Sequence, residues 1–511
     1  MLAWTIYISF LAALLLLLLP KNNAAAARLL ALLAAIAGFA VALTAFIQHR
    51  TGELLTITRI PWIPSLGIEY HLAADGISLC LVLLTGIVAI AGILFSWNIE
   101  HRTKEFFAFY LLLIGSVYGV FLSYDLFLLF VFYEIVIIPK YFLIAIWGST
   151  RKEYGAMKLA LYSFVGSAMV LVGLIAAYVT SGMHTMSLTG LAQAHFSPHF
   201  QLLAFPLVFI GFAILAGLWP FHTWAPTGHV AAPTAASMLL AGVVMKLGAY
   251  GCLRVAMTLF PLGLSPWGFH VLGLGSWRDV FAILAIIGIV YGASVALVQK
   301  DFKFVIGYSS VSHMGFILLG LMTLNQIGVS GAVIQMFSHG ILAGLLFATV
   351  GRMVYDRTHT RDLNALGPMN LNKAIPFAAI TFVVAGMASM GLPGFSGFVA
   401  ELMILIGAWH AFPILALCVG LGILIGIVYV WRAMQKAFFA DSTHTDAVTP
   451  DGHHTSSTEA LPPTSIPERL GALLLIATSV TIGLYPQVLL KLIVPALNSP
   501  LFDGIRRGSW Q

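Results

Sequence analysis

Two short stretches, Pro220-Phe-His-Thr-Trp-Ala-Pro226 and Gly391-Leu-Pro-Gly-Phe-Ser-Gly397, decide how this chain is organised. The first ends an apolar run over residues 201–219, and the second lies inside an apolar run over residues 374–408. Proline and glycine break helices, and broken backbone at membrane depth is tolerated only where protein or a water-filled cavity satisfies the freed amide groups. Paired breaks of this kind indicate an ion or substrate path.

The rest of the chain consists mostly of further apolar runs. A bilayer core about 30 Å thick needs roughly 20 apolar residues in helical form, at 1.5 Å per residue. Fourteen such segments are predicted, at residues 2–20, 28–47, 73–97, 106–123, 126–147, 156–180, 201–219, 233–258, 280–298, 303–323, 328–355, 374–408, 410–435 and 469–496. We expect the first of them to be a retained helix and not a cleaved signal.

The breaks fall in the seventh and twelfth segments, five segments apart. This spacing predicts two five-helix repeats, and an odd number of helices gives the repeats opposite orientations. The predicted fold is therefore an all-α, polytopic membrane protein of about 14 helices with broken helices 7 and 12. The predicted divisions are residues 1–105 (helices 1 to 3), 106–258 (first repeat), 280–435 (second repeat), 440–467 (a flexible polar loop) and 468–511 (helix 14 and tail).

Composition excludes several other classes of protein. Of the 511 residues, 60% are hydrophobic and 9% are charged, whereas soluble proteins carry about 25% charged residues. Three cysteines cannot build a disulfide framework, and a net charge of +6 without a basic cluster does not predict nucleic-acid binding.

The distribution of Lys and Arg predicts the orientation of the chain in the membrane. Sixteen Lys and Arg residues lie on one side of the predicted topology and seven on the other. The side with more positive charge is normally the inside, so both termini are predicted to lie outside.

The loop over residues 440–467 is rich in Ser, Thr, Pro and His. His444, His453 and His454 could form a weak metal site, but their spacing fits no recognised ligand pattern. A solvated, flexible loop is the preferred interpretation.

Four ionisable residues lie deep inside predicted helices: Glu134, Lys140, Lys246 and Glu401. Each costs roughly 2.5 to 3.5 kcal/mol if it faces lipid unpaired, so such residues usually face a bundle interior and mark proton relays. A buried salt bridge that only fixes packing is the alternative.

Two histidines lie in consecutive predicted helices and have polar neighbours. His313 follows Ser309-Ser-Val-Ser312, and His339 follows Gln335-Met-Phe-Ser338. Histidine exchanges protons near neutral pH, so we predict that both belong to the same relay as the buried charges. The alternative is a pair of core histidines with satisfied hydrogen bonds.

Motifs for redox chemistry are missing from the sequence. There is no Gly-rich phosphate loop and no Cys cluster for iron and sulfur. The chain is therefore predicted to be a channel or transporter, or the ion-moving part of a larger machine.

Six motifs spread over nearly the whole chain resemble subunit M (chain 4) of the proton-pumping NADH:quinone oxidoreductases, respiratory complex I. The motifs are Leu72-Ala-Ala-Asp-Gly-Ile-Ser-Leu79, Phe130-Val-Phe-Tyr-Glu-Ile135 with Tyr141-Phe-Leu-Ile-Ala-Ile-Trp-Gly148, Pro220-Phe-His-Thr-Trp-Ala-Pro226 with Ala232-Pro-Thr234, Tyr308-Ser-Ser-Val-Ser-His-Met-Gly-Phe316, Thr358-His-Thr-Arg-Asp-Leu363 and Gly391-Leu-Pro-Gly-Phe-Ser-Gly-Phe-Val-Ala-Glu401. This family, which is related to Mrp-type antiporter subunits, is expected to have fourteen transmembrane helices in two inverted repeats.

The resemblance implies roles for matching residues. Glu134 is the carboxylate that couples neighbouring subunits, Lys246 is the central proton carrier, and Glu401 is the terminal group towards the outer side. His313 and His339 fall on relay positions. Asp301 and Lys303 match a polar pair at the start of helix 10, where we expect proton uptake.

The resemblance also implies the surroundings of the chain. No cofactor is expected in this chain, while NADH, FMN, iron–sulfur clusters and quinone belong to partner subunits. The expected contacts are neighbouring antiporter-like subunits and membrane lipid, with no nucleic acid. The expected location is the bacterial cell (inner) membrane, in preference to an organellar energy-converting membrane.

Alternative functions are a subunit of an Mrp-type cation/proton antiporter or of a membrane-bound hydrogenase. Na⁺ is the alternative to H⁺ as the transported ion.

One departure from the family pattern concerns helix 7. The family usually carries a lysine just before the break, paired with the helix 5 glutamate, but Phe212-Ala-Ile-Leu-Ala-Gly-Leu-Trp-Pro220 contains none. Thr227 also stands where the family has an aspartate. Lys140 lies where an apolar residue is common, and we consider three hypotheses for it: a substitute for the missing lysine, a structural lysine, or a mark of an impaired or altered path.

Overall fold

The structure, a computed structural model, describes residues 1–20, 23–49, 52–266, 275–440 and 461–509. Its helices up to the first break are α1 (Trp4–Leu18), α2 (Ala24–Gln48), α3 (Gly76–Phe95), α4 (Thr103–Leu122), α5 (Leu126–Trp147), α6 (Lys152–Ser181) and α7 (Pro198–Ala216). The helices after it are α8 (Trp224–Ala231), α9 (Thr234–Leu259), α10 (Trp277–Val298), α11 (Phe302–Met322), α12 (Gln326–Thr358), α13 (Pro376–Ser389), α14 (Ser396–Ala411), α15 (Pro413–Phe438), α16 (Ile466–Leu484) and α17 (Gln487–Leu497).

The helices confirm a mostly helical, polytopic membrane fold. Within the described ranges, twelve helices are long and apolar enough to cross a membrane, and the bent pair Gln487–Leu497 and Pro500–Arg506 could supply a thirteenth span. Twelve of the fourteen predicted segments coincide with one helix each, whereas the twelfth is divided into α13 and α14 and the fourteenth into α16 and α17. The breaks lie where the sequence places them, because proline and glycine interrupt the helical hydrogen bonds there.

The sequence analysis did not predict a β-hairpin that precedes α3. Strands β1 (Leu55–Ile63) and β2 (Ile68–Ala74) pair antiparallel between α2 and α3. Gly67 closes the turn with a φ of +63°, and a Cβ there would lie 1.8 Å from the carbonyl oxygen of His184. Only glycine can occupy this position.

The carboxylate of Asp125 connects the hairpin to the start of α5 by hydrogen bonds. Asp125 caps α5 by accepting hydrogen bonds from the backbone N–H groups of Phe127 and Leu128, and it also accepts one from Glu69 of β2, each at 3.0 Å. An aspartate at this position satisfies helix donors that would otherwise be unpaired.

A buried ion pair joins α3 to α9. One nitrogen of Arg254 lies 2.6 Å and 2.7 Å from the two carboxylate oxygens of Asp75, and both residues are buried. Asp75 also caps α3 through the N–H of Ser78, while the rings of Tyr124 and Tyr250 flank the guanidinium at 5.3 Å. The ends of both helices are held by this contact.

We expect Arg254→Leu to lower the free energy of unfolding by about 3 to 5 kcal/mol, because the substitution leaves Asp75 charged and buried. Adding Asp75→Asn should recover much of the loss, since the amide oxygen can still cap α3 without a charge. Thermal unfolding in detergent would measure both effects.

The matched control is Arg59→Ala. Its partner is Glu69, and the Arg59 side chain is 57% exposed, so its loss should cost about 0 to 1 kcal/mol. An Arg254→Leu protein as stable as this control would refute the assignment of Arg254 as a packing anchor.

The C-terminal part of the chain is held to α12 by two arginines. Glu468, at the start of α16, pairs with Arg352 and Arg357 at 2.7 Å each. Arg357 also donates to the carbonyl oxygens of Pro462 and Pro463. Residues 461–465 are therefore fixed, while the rest of the predicted flexible loop, with His444, His453 and His454, lies outside the described residues.

Candidate functional site

Lys246 lies at the centre of the molecule, fully buried on α9 between two π-helical turns, Leu240–Val244 and Cys252–Ala256. Its Nζ lies 2.8 Å from Nδ1 of His339 on α12 and donates a hydrogen bond to the carbonyl oxygen of Ala241. Wide turns of this kind are frequent at functional sites. The contact joins a lysine of the predicted first repeat to a histidine of the second.

His339 in turn stacks on His313 of α11. Their ring centroids are 5.3 Å apart with an angle of 28° between the planes. Stacking brings the faces of the rings together, so the nitrogens are not hydrogen-bonded directly across this contact.

One ring nitrogen of His313, Nδ1, contacts both a carboxylate and an amide. Its Nδ1 lies 3.3 Å from Oε1 of Glu401 and 3.2 Å from Nε2 of Gln335, while its Nε2 lies 3.2 Å from the Ser389 hydroxyl. A protonated Nδ1 can donate to the carboxylate, whereas an unprotonated Nδ1 can accept from the amide. The hydrogen-bond partner of His313 therefore changes with its protonation.

A small cavity is lined by both histidines. Its volume is about 10 Å³, and its polar lining comprises Ser309, Ser310, His313, Gln335, His339, Ser389 and Glu401. Three lining atoms have no hydrogen-bond partner within the described protein: Ser310 Oγ, Gln335 Oε1 and His339 Nε2. A cavity of this size with several polar partners can hold one water molecule. Such a water could carry a proton between His339 and His313.

Glu401 lies on α14, just after the second break. Gly391 and Gly394 in this break have φ angles of +76° and +99°. A Cβ at Gly391 would lie 2.9 Å from Oε2 of Glu401, so glycine lets the backbone approach the carboxylate. The break thus shapes the space around the buried charge.

At the start of α11, where we expect proton uptake, the side chains of Asp301 and Lys303 contact different partners. Asp301 caps the helix and pairs with Arg361, whose Nε lies 3.2 Å from Oδ2. The buried Nζ of Lys303 donates instead to the carbonyl oxygen of Ala232 at 3.2 Å. The two side chains therefore have separate partners, because helix capping turns the aspartate back towards the helix terminus.

Lys303 lines an open cavity of about 300 Å³ between α3, α9 and α12. Polar groups around it include Ser96, Asn98, Glu100 and Asp356. This cavity lies at the helix ends that carry the excess of Lys and Arg. Solvent can reach the surroundings of Lys303 from this side.

Glu134 and Lys140 lie on α5 and are not joined to this network by contacts in the described part of the chain. Lys140 is 1% exposed, and its Nζ donates to the Ser163 hydroxyl of α6 at 2.8 Å. Oε1 of Glu134 is buried without a partner, and Glu134 acts electrostatically on Lys140, although no ion pair within 4 Å joins them among the described residues.

Helix α5 is interrupted at Val136, between its parts Leu126–Ile135 and Ile137–Trp147. Pro139 explains this interruption, because it has no N–H to donate to the carbonyl of Ile135 and its ring crowds that carbonyl. Val136 itself keeps helical dihedral angles, and its N–H still donates to the carbonyl oxygen of Phe132 at 3.2 Å, so the two parts form one continuous span.

An aromatic contact joins α5 to α7, and α7 packs in turn against α9. The ring of Phe212 on α7 meets the ring of Tyr133 at 5.4 Å, and a Cβ on Gly251 of α9 would lie 2.3 Å from the Phe212 ring. Phe212 therefore fills the space between α5 and α9. This is the first residue of the stretch in which the family pattern has its lysine.

Several participating residues were not predicted from the sequence: Ser309, Ser310, Gln335, Ser389 and Ser163. Serine is common in membrane helices, so its presence alone is a weak signal. For Ser309, Ser310 and Gln335, the only indication in the sequence was their place in the polar stretches before His313 and His339. Ser389 and Ser163 lie far from those stretches, and only helix packing brings them to the site.

Metal ligands do not cluster in the described ranges, where no group of three or more His, Cys, Asp or Glu side chains could hold an ion. The expected absence of a cofactor from the chain stays a prediction.

Comparison with known proteins agrees with this architecture. Residues 123–426 match the family described as NADH:quinone oxidoreductase/Mrp antiporter, TM. NADH-quinone oxidoreductase subunit M of Rickettsia prowazekii (strain Madrid E) is 37% identical over 395 residues, which cover 76% of this chain and 77% of that protein. The subunit M of Rhodobacter capsulatus is 36% identical over 450 residues, which cover 85% of this chain and 82% of that protein.

A solved structure, respiratory complex I from Thermus thermophilus with bound NADH, contains a chain of the same fold. The TM-score is 0.86 at 26% sequence identity, with 99% of each chain covered. Family, relatives and fold therefore agree over most of the sequence. This multi-pass membrane chain belongs to the NADH:quinone oxidoreductase/Mrp antiporter family.

Proposed function

We propose that this chain is the antiporter-like, proton-translocating subunit M of an NADH:quinone oxidoreductase. The observation that carries the proposal is the buried series Lys246, His339, His313 and Glu401, in which each member contacts the next. Buried ionisable groups in membrane helices are costly and normally serve ion movement. The names of the most similar relatives favour the oxidoreductase over the antiporter alternative.

In this proposal a proton enters from the cavity at Lys303 and reaches Lys246. It passes to His339, through the small cavity to His313, and then to Glu401. The two alternative partners of His313 Nδ1 support this order, because protonation at that atom replaces the Gln335 contact with the Glu401 contact. Electron transfer elsewhere in the assembly would drive the cycle.

The surroundings of the chain follow from the same proposal. NADH, FMN, iron–sulfur clusters and quinone would be held by partner subunits, and neighbouring antiporter-like subunits would contact this chain, with Glu134 coupling to one of them. The membrane would be the bacterial cell (inner) membrane. The two repeats, residues 106–258 and 280–435, would be the moving halves around Lys246.

Purification of the tagged protein from its own membranes tests the proposal. We expect it to be recovered with subunits that oxidise NADH and bind quinone. Recovery with antiporter or hydrogenase subunits, and without NADH oxidation, would refute the oxidoreductase assignment and favour the corresponding alternative.

For Lys140 we propose that it is the positive partner of Glu134 in the first repeat. Its burial, its hydrogen bond to Ser163 and the electrostatic action of Glu134 support this role. Lys140→Met should then lower proton pumping by about tenfold in a fully assembled complex. Pumping in membrane vesicles, divided by the amount of assembled complex, is the measurement.

The control for this variant is Lys436→Met, which removes a more exposed lysine that donates to Asn364. Normal pumping by assembled Lys140→Met protein would refute the proposed role. Loss of assembly with unchanged pumping per complex would indicate a structural lysine instead.

A further inference from the structure

Helix α16 lies outside both predicted repeats, yet it packs directly against the second break. A Cβ on Gly483 of α16 would lie 2.3 Å from the carbonyl oxygen of Gly394 and 2.4 Å from the carbonyl carbon of Phe395. Only a residue without a side chain allows the two backbones to approach this closely. The C-terminal part of the chain therefore limits where the break can lie.

A chain of three serine hydroxyls joins the same two elements to α12. The hydroxyl oxygen of Ser396, at the start of α14, lies 3.0 Å from that of Ser479 on α16 and 2.8 Å from that of Ser338 on α12. All three residues are buried. A serine near the start of a helix commonly hydrogen-bonds to its own backbone, whereas this one connects three helices. The hydroxyl chain fixes the first residue of α14 relative to its neighbours.

The break connects two side chains that contact His313. Ser389, the last residue of α13, meets Nε2 of His313, and Glu401 of α14 lies against Nδ1. Gly391 lies between them in the chain and close to the Glu401 carboxylate. A displacement of the break would therefore change the geometry at both ring nitrogens at once.

The other end of α16 is also held. Glu468 pairs with Arg352 and Arg357 of α12, and Ser479 lies eleven residues further along the same helix, about 16 Å at helical rise. A continuous helix that is fixed by ion pairs at one end resists displacement at the other. Helix α16 can thus hold the break in one place.

We infer that Ser479 and Gly483 are positioning residues for Glu401, because they hold the second break in place. The Glu401 carboxylate then stays within reach of His313. Ser479 acts through the hydroxyl of Ser396, and Gly483 acts through the backbone of the break. The inference rests on the proposed proton translocation, since it concerns the geometry of the last step of that path.

Ser479→Ala and Gly483→Ala, each introduced into the complete complex, test the inference. The first variant removes the hydroxyl that Ser396 contacts, and the second places a methyl group against the break. We expect either variant to lower proton translocation in sealed membrane vesicles about tenfold per assembled complex, because small misplacements of reacting groups are costly. We also expect a shift in the infrared difference signal of the Glu401 carboxyl group, which is identified by its loss in Glu401→Gln.

The matched controls lie on the same helix. Thr478→Val removes a hydroxyl that donates to the carbonyl oxygen of Leu474 within α16, and Gly471→Ala places a methyl group against the ring of Phe95 on α3. We expect both controls to translocate protons within about twofold of the unaltered protein and to leave the Glu401 signal unchanged, even if they lower stability.

Lys246→Met, measured in the same vesicles, separates this inference from the proposed function. Normal translocation by Lys246→Met would show that the proposed function of the path is wrong. If Lys246→Met is inactive while Ser479→Ala and Gly483→Ala translocate normally per complex, the inference is overturned and the function stands.

Two other outcomes would also overturn the inference. A lower rate with an unchanged Glu401 signal would show that the two residues act elsewhere, and poor assembly with a normal rate per complex would show a purely structural role. Ser479→Ala removes a single oxygen atom, so it keeps the test decisive if Gly483→Ala does not assemble.

Discussion

Lys246→Met is expected to reduce proton translocation by about a hundredfold or more, the largest effect of any single substitution in this chain. The methionine side chain keeps the length and apolar stem of lysine, so packing between α9 and α12 should survive. The substitution removes the only contact through which His339 Nδ1 meets a proton donor in the described part of the chain. The measurement is acidification of sealed membrane vesicles per assembled complex during NADH oxidation.

Lys491→Met is the control for this substitution. Lys491 lies on α17 and its exposed ammonium contacts the Tyr485 hydroxyl and ring, so removing this charge should not change translocation. Both variants lose one positive charge, and only their positions differ. Translocation by Lys246→Met at the rate of the Lys491→Met control would show that the central lysine carries no protons.

Glu401→Gln is expected to reduce translocation nearly as strongly as Lys246→Met. The amide preserves the shape of the side chain beneath Gly391, so α14 and the second break should keep their conformation. However, a neutral amide cannot take up the proton from His313 Nδ1, although its oxygen can still accept a hydrogen bond from that atom. Vesicle acidification and NADH oxidation should fall together if the two processes are tightly coupled.

Glu401→Ala provides a comparison for the same position. If the loss of charge is decisive, Gln and Ala should be equally damaging, whereas a role in packing would leave Gln much more active than Ala. Glu69→Gln, which removes a carboxylate from the exposed pair with Arg59 in the hairpin, serves as the control and should translocate normally. An active Glu401→Gln protein would place the end of the path elsewhere.

These expectations concentrate the path on four side chains of α9, α11, α12 and α14. Lys246, His339, His313 and Glu401 follow one another in contact, while the rings of Phe212 and Tyr133 pack between α7 and α5. A lysine on α7 would offer a polar connection that these aromatic rings do not. We therefore expect Glu134 and Lys140 to act on the path through their electric field more than by handing over a proton.

Glu134, Lys140, Lys246 and Glu401 could be recognised from the sequence because each interrupts a run of apolar residues. Glu134, Lys246 and Glu401 have no charged neighbours in the chain, and a solitary charge in lipid would be unstable. The same reasoning pointed to His313 and His339. It could not show that Lys246 meets His339, since these residues are 93 positions apart.

The hairpin of β1 and β2 and the roles of the serines were beyond this kind of reasoning. Residues 55–74 lie between two long apolar segments, and their alternation is short and interrupted by Pro61 and Pro64. The pairing of Asp301 with Arg361, and not with Lys303, depends on how residues 356–363 fold back onto the start of α11. Long-range contacts decide both features.

The sequence alone determined the membrane-spanning architecture, the positions of the two helix breaks and the identity of the buried charges of the proposed path, but not the buried ion pair of Asp75 and Arg254. These features depend on local properties, because a lipid-exposed helix must satisfy its own backbone and present apolar side chains over about 20 residues. The tertiary structure alone decided which charges touch. That outcome depends on helix packing between distant segments, which brings the ring of Phe212 against Tyr133 and stacks the rings of His313 and His339.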